Sequence, residues 1–198
     1  MNDTIFRILA AIIILIGASI SIYYRTKADR EAGGRVSLKE EGTLITVTLR
    51  LLGISLWVAM FAYLINPAWV AWARVDLPEW IRWVGVSLGA ASDGLAYWVF
   101  TSLGNNVSPT VVTRKTHSLV TTGPYRWVRH PLYLMGMIAY LGFALLSENA
   151  FIALVVIFSF IVLDIRLPKE EARLVDRFGD DYRAYMHRTG KYLPKLRS

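Results

Sequence analysis

The chain reads as an all-α, polytopic membrane protein of about five transmembrane helices followed by a cytosolic carboxyl-terminal helical segment, and three observations predict this. Of its 198 residues 55% are apolar and 19% charged, a balance with a mean hydropathy of +0.40 that exceeds an ordinary water-soluble domain. The charges, formally +7, are bunched between apolar runs, which marks membrane-flanking loops rather than a nucleic-acid surface. Cysteine is absent, which removes a disulfide scaffold and a cysteine-based zinc site. So little polar sequence remains that residues 1–198 are expected to form one membrane domain.

The run Ile5–Tyr24, charged only at Arg7, spans a hydrocarbon core of roughly 30 Å at about 1.5 Å per residue. It exceeds the core of a signal peptide, and no small-x-small cleavage site follows, so it is expected to be retained. Thr43–Ile65 is the second span, ended by Asn66-Pro67 because proline and its predecessor disfavour helix. Leu77–Leu103 contains the third, with Pro78 at its entrance. Tyr133–Leu146 and Phe151–Ile165 are the fourth and fifth, short for full crossings and joined by the turn Ser147-Glu148-Asn149 as an antiparallel hairpin. Gly85 and Gly89 form a small-xxx-small pair suited to close helix approach. The seven tryptophans lie mostly near span ends, where interfacial anchoring is the expected role.

Lysine and arginine crowd the loop after the first span (Arg25, Lys27, Arg30, Arg35, Lys39), the segment before the fourth and the tail after the fifth. The positive-inside rule places those segments in the cytoplasm and the amino terminus outside. Arg50 and Asp93 fall inside spans and need partners, mutual pairing being the default expectation. After Asp164, residues Leu174, Val175, Phe178, Tyr182, Tyr185 and Met186 have the spacing of an amphipathic helix along the membrane surface, broken at Gly179.

The remaining polar residues form two cytoplasmic clusters, Ser108–Tyr133 and Asp164–Tyr192. In the first, Thr122-Gly123-Pro124-Tyr125 is a turn and Arg129-His130-Pro131-Leu132-Tyr133 a helix start, whose first-turn N–H groups suit an anion. His130 and Tyr133, three apart, face one direction. By itself His130 reads equally as a helix cap, and Tyr125 and Tyr133 as interfacial anchors. In the second cluster Arg166 and Glu170 share a helix face, with Glu171 turned away by about 100° and Pro168 positioned to kink the helix. Alone, that pair reads as a surface ion pair or as a clamp for a carboxylate or phosphate.

Combined, the segments His117-Ser118-Leu119-Val120-Thr121-Thr122-Gly123-Pro124-Tyr125, Arg129-His130-Pro131-Leu132-Tyr133, Arg166-Leu167-Pro168-Lys169-Glu170-Glu171 and Phe178-Gly179-Asp180-Asp181-Tyr182-Arg183-Ala184-Tyr185 resemble the isoprenylcysteine carboxyl methyltransferase family. That family's wider relatives include phospholipid N-methyltransferases. The resemblance covers roughly the last 95 residues. It implies that 105–198 is a catalytic region binding S-adenosylmethionine in a cytosolic pocket, and that 1–104 supplies amino-terminal transmembrane helices. It implies cofactor contacts from His117, Ser118, Leu119, Val120, Tyr125, His130, Pro131, Leu132, Tyr133 and Glu170. It implies a substrate-side role for Arg166, with His130 as a second catalytic residue, and no metal. The acceptor is expected to be a lipophilic or lipidated molecule entering from the bilayer, with a carboxylate favoured because it is ionised at neutral pH and needs no base. Amine and thiol acceptors are alternatives, for which His130 or Glu171 could take a proton. A sterol-type NADPH reductase would demand more arginine and lysine in the pocket, and a non-enzymatic scaffold would tolerate loss of Glu170 and His130. The expected setting is a prokaryotic inner membrane, with no nucleic-acid partner.

Overall fold

The computed structural model describes residues 3–31, 43–104 and 118–195, and within them the regular structure is helical, joined by short loops. The elements are α1 (Asp3–Glu31), α2 (Thr43–Ile65), a 3-10 turn at Pro67–Ala73, α3 (Glu79–Leu103), a second 3-10 turn at Gly123–Arg126, α4 (Pro131–Leu146), α5 (Ala150–Phe178) and α6 (Asp180–Arg188). No strand forms among the described residues; two isolated bridges, Arg74 with Asn149 and Val128 with Gly190, pin loops at opposite ends of the bundle.

Local sequence accounts for the boundaries. Asn66 caps the turn that follows α2 by accepting from the Ala68 amide at 3.1 Å, with Pro67 at its first position. Asn149 caps α5 in the same way, its Oδ1 accepting from the Ile152 amide at 3.0 Å. Gly179, at φ +58°, ends α5 in the left-handed region that a side chain would strain. The core at one end of the bundle joins Phe6 and Ala10 of α1, Met60 and Tyr63 of α2, Phe143 of α4 and Val156 of α5.

Three helices, α1, α2 and α5, are long and apolar enough to cross a membrane. The five spans expected from sequence are thus met by length and apolarity at three. The other two differ for separate reasons: α4 has only 16 residues, and the 25-residue α3 carries Arg82 and Asp93 and spends a face on its neighbours. α5 does not stop near Ile165 but continues through Pro168 to Phe178, where Leu167, fully buried, packs that turn against the bundle. At about 43 Å it is longer than a hydrocarbon core and carries its charged half past the apolar zone. All seven tryptophans are at least 39% exposed, as anchors facing lipid should be.

The glycine pattern of α3 is a packing seam. A Cβ on Gly85 would lie 2.5 Å from the Gly142 carbonyl oxygen and the Leu146 amide of α4, so only glycine admits this approach. Gly85→Leu should therefore lower thermal stability by at least about 1–3 kcal/mol, the usual cost of overpacking. Gly53→Ala, where nothing lies within 4 Å, should be neutral or stabilising. Melting curves of the two variants in one detergent check both.

Candidate functional site

One end of the bundle is built by the loop 118–130 and the carboxyl-terminal segment folding onto each other. The turn Gly123–Arg126 sits against the end of α3: Gly123 is at φ +58°, and a Cβ there would collide with Ser102. Trp127 stacks edge-on against Trp98 of α3 at 5.4 Å. The chain after α6 then runs beside the loop. The Gly190 amide donates to the Trp127 carbonyl at 3.3 Å, while the Arg129 amide donates to the Gly190 carbonyl at 2.9 Å and that of His130 to the Lys191 carbonyl at 3.2 Å.

Tyr182 and Tyr185 of α6, each 2% exposed, pack into this junction rather than against lipid, which corrects the membrane-surface reading of the amphipathic pattern. The pattern itself spans two helices, because Gly179 divides the end of α5 from α6. The Tyr185 hydroxyl donates to the Tyr125 carbonyl at 2.7 Å. Burial pushes this phenol up to about 12, and burial likewise raises Tyr125 and Tyr182, so all three phenols are neutral at physiological pH. Tyr185→Phe leaves the Tyr125 carbonyl short of a donor and should cost about 1 kcal/mol, read as an earlier midpoint in thermal or denaturant unfolding.

The charges meet where α4 begins. His130 occupies the N-cap position of α4, yet its side chain makes no capping bond. Its Nε2 lies 3.0 Å from Glu171 Oε1, the oxygen that also accepts from Arg129 Nε at 2.8 Å. Arg129 Nη1 donates further to the Thr189 carbonyl at 2.6 Å. One turn into α4 the Tyr133 hydroxyl donates to Glu170 Oε2 at 2.6 Å, and its ring stacks parallel to His130 at 5.7 Å. Beyond them Asp164 accepts from Lys191 Nζ at 2.6 Å and from the Tyr192 hydroxyl at 3.0 Å. Burial, then the bond to Asp164, raise the Tyr192 phenol, which stays protonated as that donor. Among the described residues no cluster of histidine and carboxylates could hold a metal ion.

The residues singled out from sequence fall as follows. His117 lies outside the described residues. Ser118 is exposed, and Leu119, Val120 and Tyr125 are half-buried along the loop. His130 and Pro131 are buried and Leu132, Tyr133 and Glu170 half-buried, all at the junction of α4 and α5. Arg166, half-buried, lies one turn before Glu170 on α5. The contact between two further residues was not foreseen, although Glu171 had been weighed as a proton acceptor. Arg129 and Glu171 form the ion pair that joins the loop to α5, and the only sequence signal was charge beside a histidine and a glutamate already chosen. The expected pairing of Arg50 with Asp93 does not form. Arg50 is exposed on α2, whereas Asp93 faces a cavity bordered mainly by α1, α3 and α4.

That cavity, about 550 Å³, is a partly open cleft between the helices. Ile13 and Gly17 of α1, Met60 of α2 and Gly136 and Phe143 of α4 are among its predominantly apolar walls. It reaches Leu132 and Tyr133 at the site end, so Tyr133 borders both the cavity and the Glu170 carboxylate.

Fold and site together define an integral membrane protein of the all-α class, with a polar centre where a short helical hairpin meets its own carboxyl-terminal tail. Residues 83–176 match the model of the isoprenylcysteine carboxyl methyltransferase (ICMT) family. The nickel-cobalt-cadmium resistance protein NccN of Alcaligenes xylosoxydans xylosoxydans is 31% identical over 83 residues, 42% of this chain and 39% of its own. The mouse (Mus musculus) protein-S-isoprenylcysteine O-methyltransferase is 26% identical over 133 residues, 65% of this chain and 46% of its own. The chain thus spans less than half the length of these curated relatives. The solved eukaryotic intramembrane Ras methyltransferase ICMT shares the fold, with a TM-score of 0.58 and 22% identity over 92% of this chain and 67% of that one. Over residues 83–176 the chain is thus similar to the isoprenylcysteine carboxyl methyltransferase family, and its fold is that of the solved member.

Proposed function

We propose that the protein is a membrane methyltransferase that takes a methyl group from S-adenosylmethionine and places it on a lipophilic acceptor, a carboxylate in the favoured reading. The observation that carries this is the position of Tyr133, between a carboxylate suited to a cationic cofactor group and an apolar cavity within the bundle. The family match and the methyltransferase names among its relatives support the same reading.

The donor set fits the cofactor's chemistry. Glu170 would take the cofactor's ammonium, and the uncapped first turn of α4, from Pro131 through Leu132 to Tyr133, would face its carboxylate. Leu119, Val120 and Tyr125, with the stacked rings of His130 and Tyr133, offer apolar and aromatic walls for adenine and sulfonium, and Ser118 a hydroxyl at the rim. His117 completes this set in the family pattern. When bound, S-adenosylmethionine supplies an electrophilic methyl carried on a good leaving group.

The protein's task is then alignment and exclusion of water. Arg166 would hold the acceptor carboxylate, which reacts through an oxygen lone pair and has no proton to lose. Glu171 stays committed to Arg129 and His130, which fixes the start of α4 and keeps His130 oriented along its ring stack with Tyr133. The junction of loop and tail closes the polar side, and the bundle cavity receives the acceptor's apolar part. The proposed orientation puts this end in the cytoplasm of a prokaryotic cell and the amino terminus outside, following the distribution of lysine and arginine.

Calorimetric titration of S-adenosylhomocysteine into detergent-purified protein, with NADPH titrated into a parallel sample, tests the class. Saturable binding of the first and none of the second is expected. Binding of NADPH alone would turn the reading toward a reductase and dismiss the methyltransferase.

A further inference from the structure

The cavity wall contains an ionisable side chain for which neither fold nor proposed chemistry has a use. Arg25, at the mouth, is committed: its Nε donates to Ser21 at 3.1 Å and its guanidinium lies 5.7 Å from the Phe100 ring centre. Tyr133 is bonded to Glu170. Asp93 is bonded to nothing: it makes no hydrogen bond or ion pair among the described residues. An isolated carboxyl facing an apolar space inside a membrane bundle is costly, and such groups persist where a ligand or a pathway uses them.

The surroundings hold this carboxyl in place. A Cβ on Gly17 of α1 would lie 2.6 Å from Asp93 Oδ1, so the glycine makes the room that the carboxyl occupies. Asp93 sits two helical turns deeper along α3 than Phe100, about 10 Å further from the polar centre. At that depth it is out of reach of the reacting methyl and beside whatever apolar chain fills the cavity.

We propose that Asp93 is a specificity-determining residue: it recognises a hydrogen-bonding group, a hydroxyl or N–H, carried partway along the acceptor's apolar chain. This rests on the reading of the cavity as the acceptor's site. The matching ligand is a lipophilic molecule with its reactive group at one end and one polar substituent inside the chain. An unsubstituted chain leaves the carboxyl unmatched and binds more weakly.

The test is calorimetric binding of octadecanoic acid and of a series of monohydroxy-octadecanoic acids, the hydroxyl stepped along the chain. Wild type, Asp93→Asn and Asp93→Leu are compared, with S-adenosylhomocysteine binding measured in each. In wild type one interior hydroxyl position should bind about tenfold tighter than octadecanoic acid. Asp93→Asn should keep part of that preference and Asp93→Leu should flatten the profile, while both variants bind S-adenosylhomocysteine as wild type does. A flat wild-type profile with octadecanoic acid bound, or a preference that survives in Asp93→Leu, overturns the role of Asp93 and spares the methyltransferase reading. Protein that binds S-adenosylhomocysteine but no member of the series overturns both this role and the carboxylate acceptor. Failure to bind S-adenosylhomocysteine removes the reading on which the inference rests.

Discussion

Glu170→Ala is expected to weaken S-adenosylhomocysteine binding by about 100-fold, the upper range for loss of a hydrogen bond to a charged partner. The reason is geometric as well as electrostatic. Glu170 is half-buried on α5, and the Tyr133 hydroxyl at 2.6 Å fixes Oε2, leaving the other oxygen for a cation. Glu170→Gln keeps an acceptor for Tyr133 and loses the charge, so its affinity should fall between wild type and alanine. Tyr133→Phe leaves the charge and frees the carboxylate, and its loss should be smaller than that of Glu170→Ala. Arg166→Ala should leave S-adenosylhomocysteine affinity within about twofold and lower kcat with a lipophilic carboxylate, because this arginine is assigned to the acceptor. Calorimetry with the four variants, and labelled-methyl turnover for the last, separate these roles. Wild-type affinity in Glu170→Ala would show that the ammonium site lies elsewhere.

What the sequence disclosed and what it hid divide along a physical line. Features written in consecutive residues were legible: the Asn66-Pro67 and Ser147–Asn149 breaks, Pro131 opening α4, the helix stop at Gly179 and the seam glycine Gly85. So was the shared direction of His130 and Tyr133, since residues three apart on a helix stack. Hidden were contacts that depend on how two helices are rotated about each other. Glu170 and Glu171 are about 100° apart on α5, and local spacing tied only the first to a role. The structure gives both to the start of α4, Glu170 to Tyr133 and Glu171 to Arg129 and His130. The same limit explains Arg50 and Asp93. Two opposite charges in apolar spans suggest a pair, but α2 turns Arg50 outward while α3 turns Asp93 to the cavity. Pro168 lies inside α5: it removes one backbone donor, yet the helix continues through it, as the shared face of Arg166 and Glu170 requires, and brings the charged half of α5 to the site.

Arg82→Met is expected to destabilise the protein by about 3–5 kcal/mol while leaving S-adenosylhomocysteine affinity within about twofold in the folded fraction. Arg82 is only 5% exposed at the end of the bundle away from the candidate site. Its Nε donates to the Leu146 carbonyl at 3.0 Å, and its Nη2 reaches the Tyr63 hydroxyl at 3.1 Å and Asp3 Oδ1 at 3.0 Å. The guanidinium also lies 3.8 Å from the centre of the Phe6 ring. Glu148, equally buried and 3.6 Å from Arg82 Nη1, shares Oε2 with Arg74 at 2.8 Å. One side chain therefore ties the start of α1, the end of α2 and the α4–α5 turn to α3. Removing it leaves the Leu146 carbonyl and the Tyr63 hydroxyl without its hydrogen bonds and the buried Glu148 carboxylate with the half-exposed Arg74 as its remaining partner, and breaking a buried charge network from one side costs more than the pair was worth. The double variant Arg82→Met with Glu148→Gln should lose less than the sum of the two single variants, since the two side chains share one network. The α4 helix separates this cluster from Tyr133 by about 20 Å, so the damage should appear in the melting temperature and not in cofactor affinity. If Arg82→Met melts like wild type, the cluster is no clasp; if it melts like wild type and loses cofactor affinity, the two ends of the bundle are coupled in a way that packing through α4 alone does not explain.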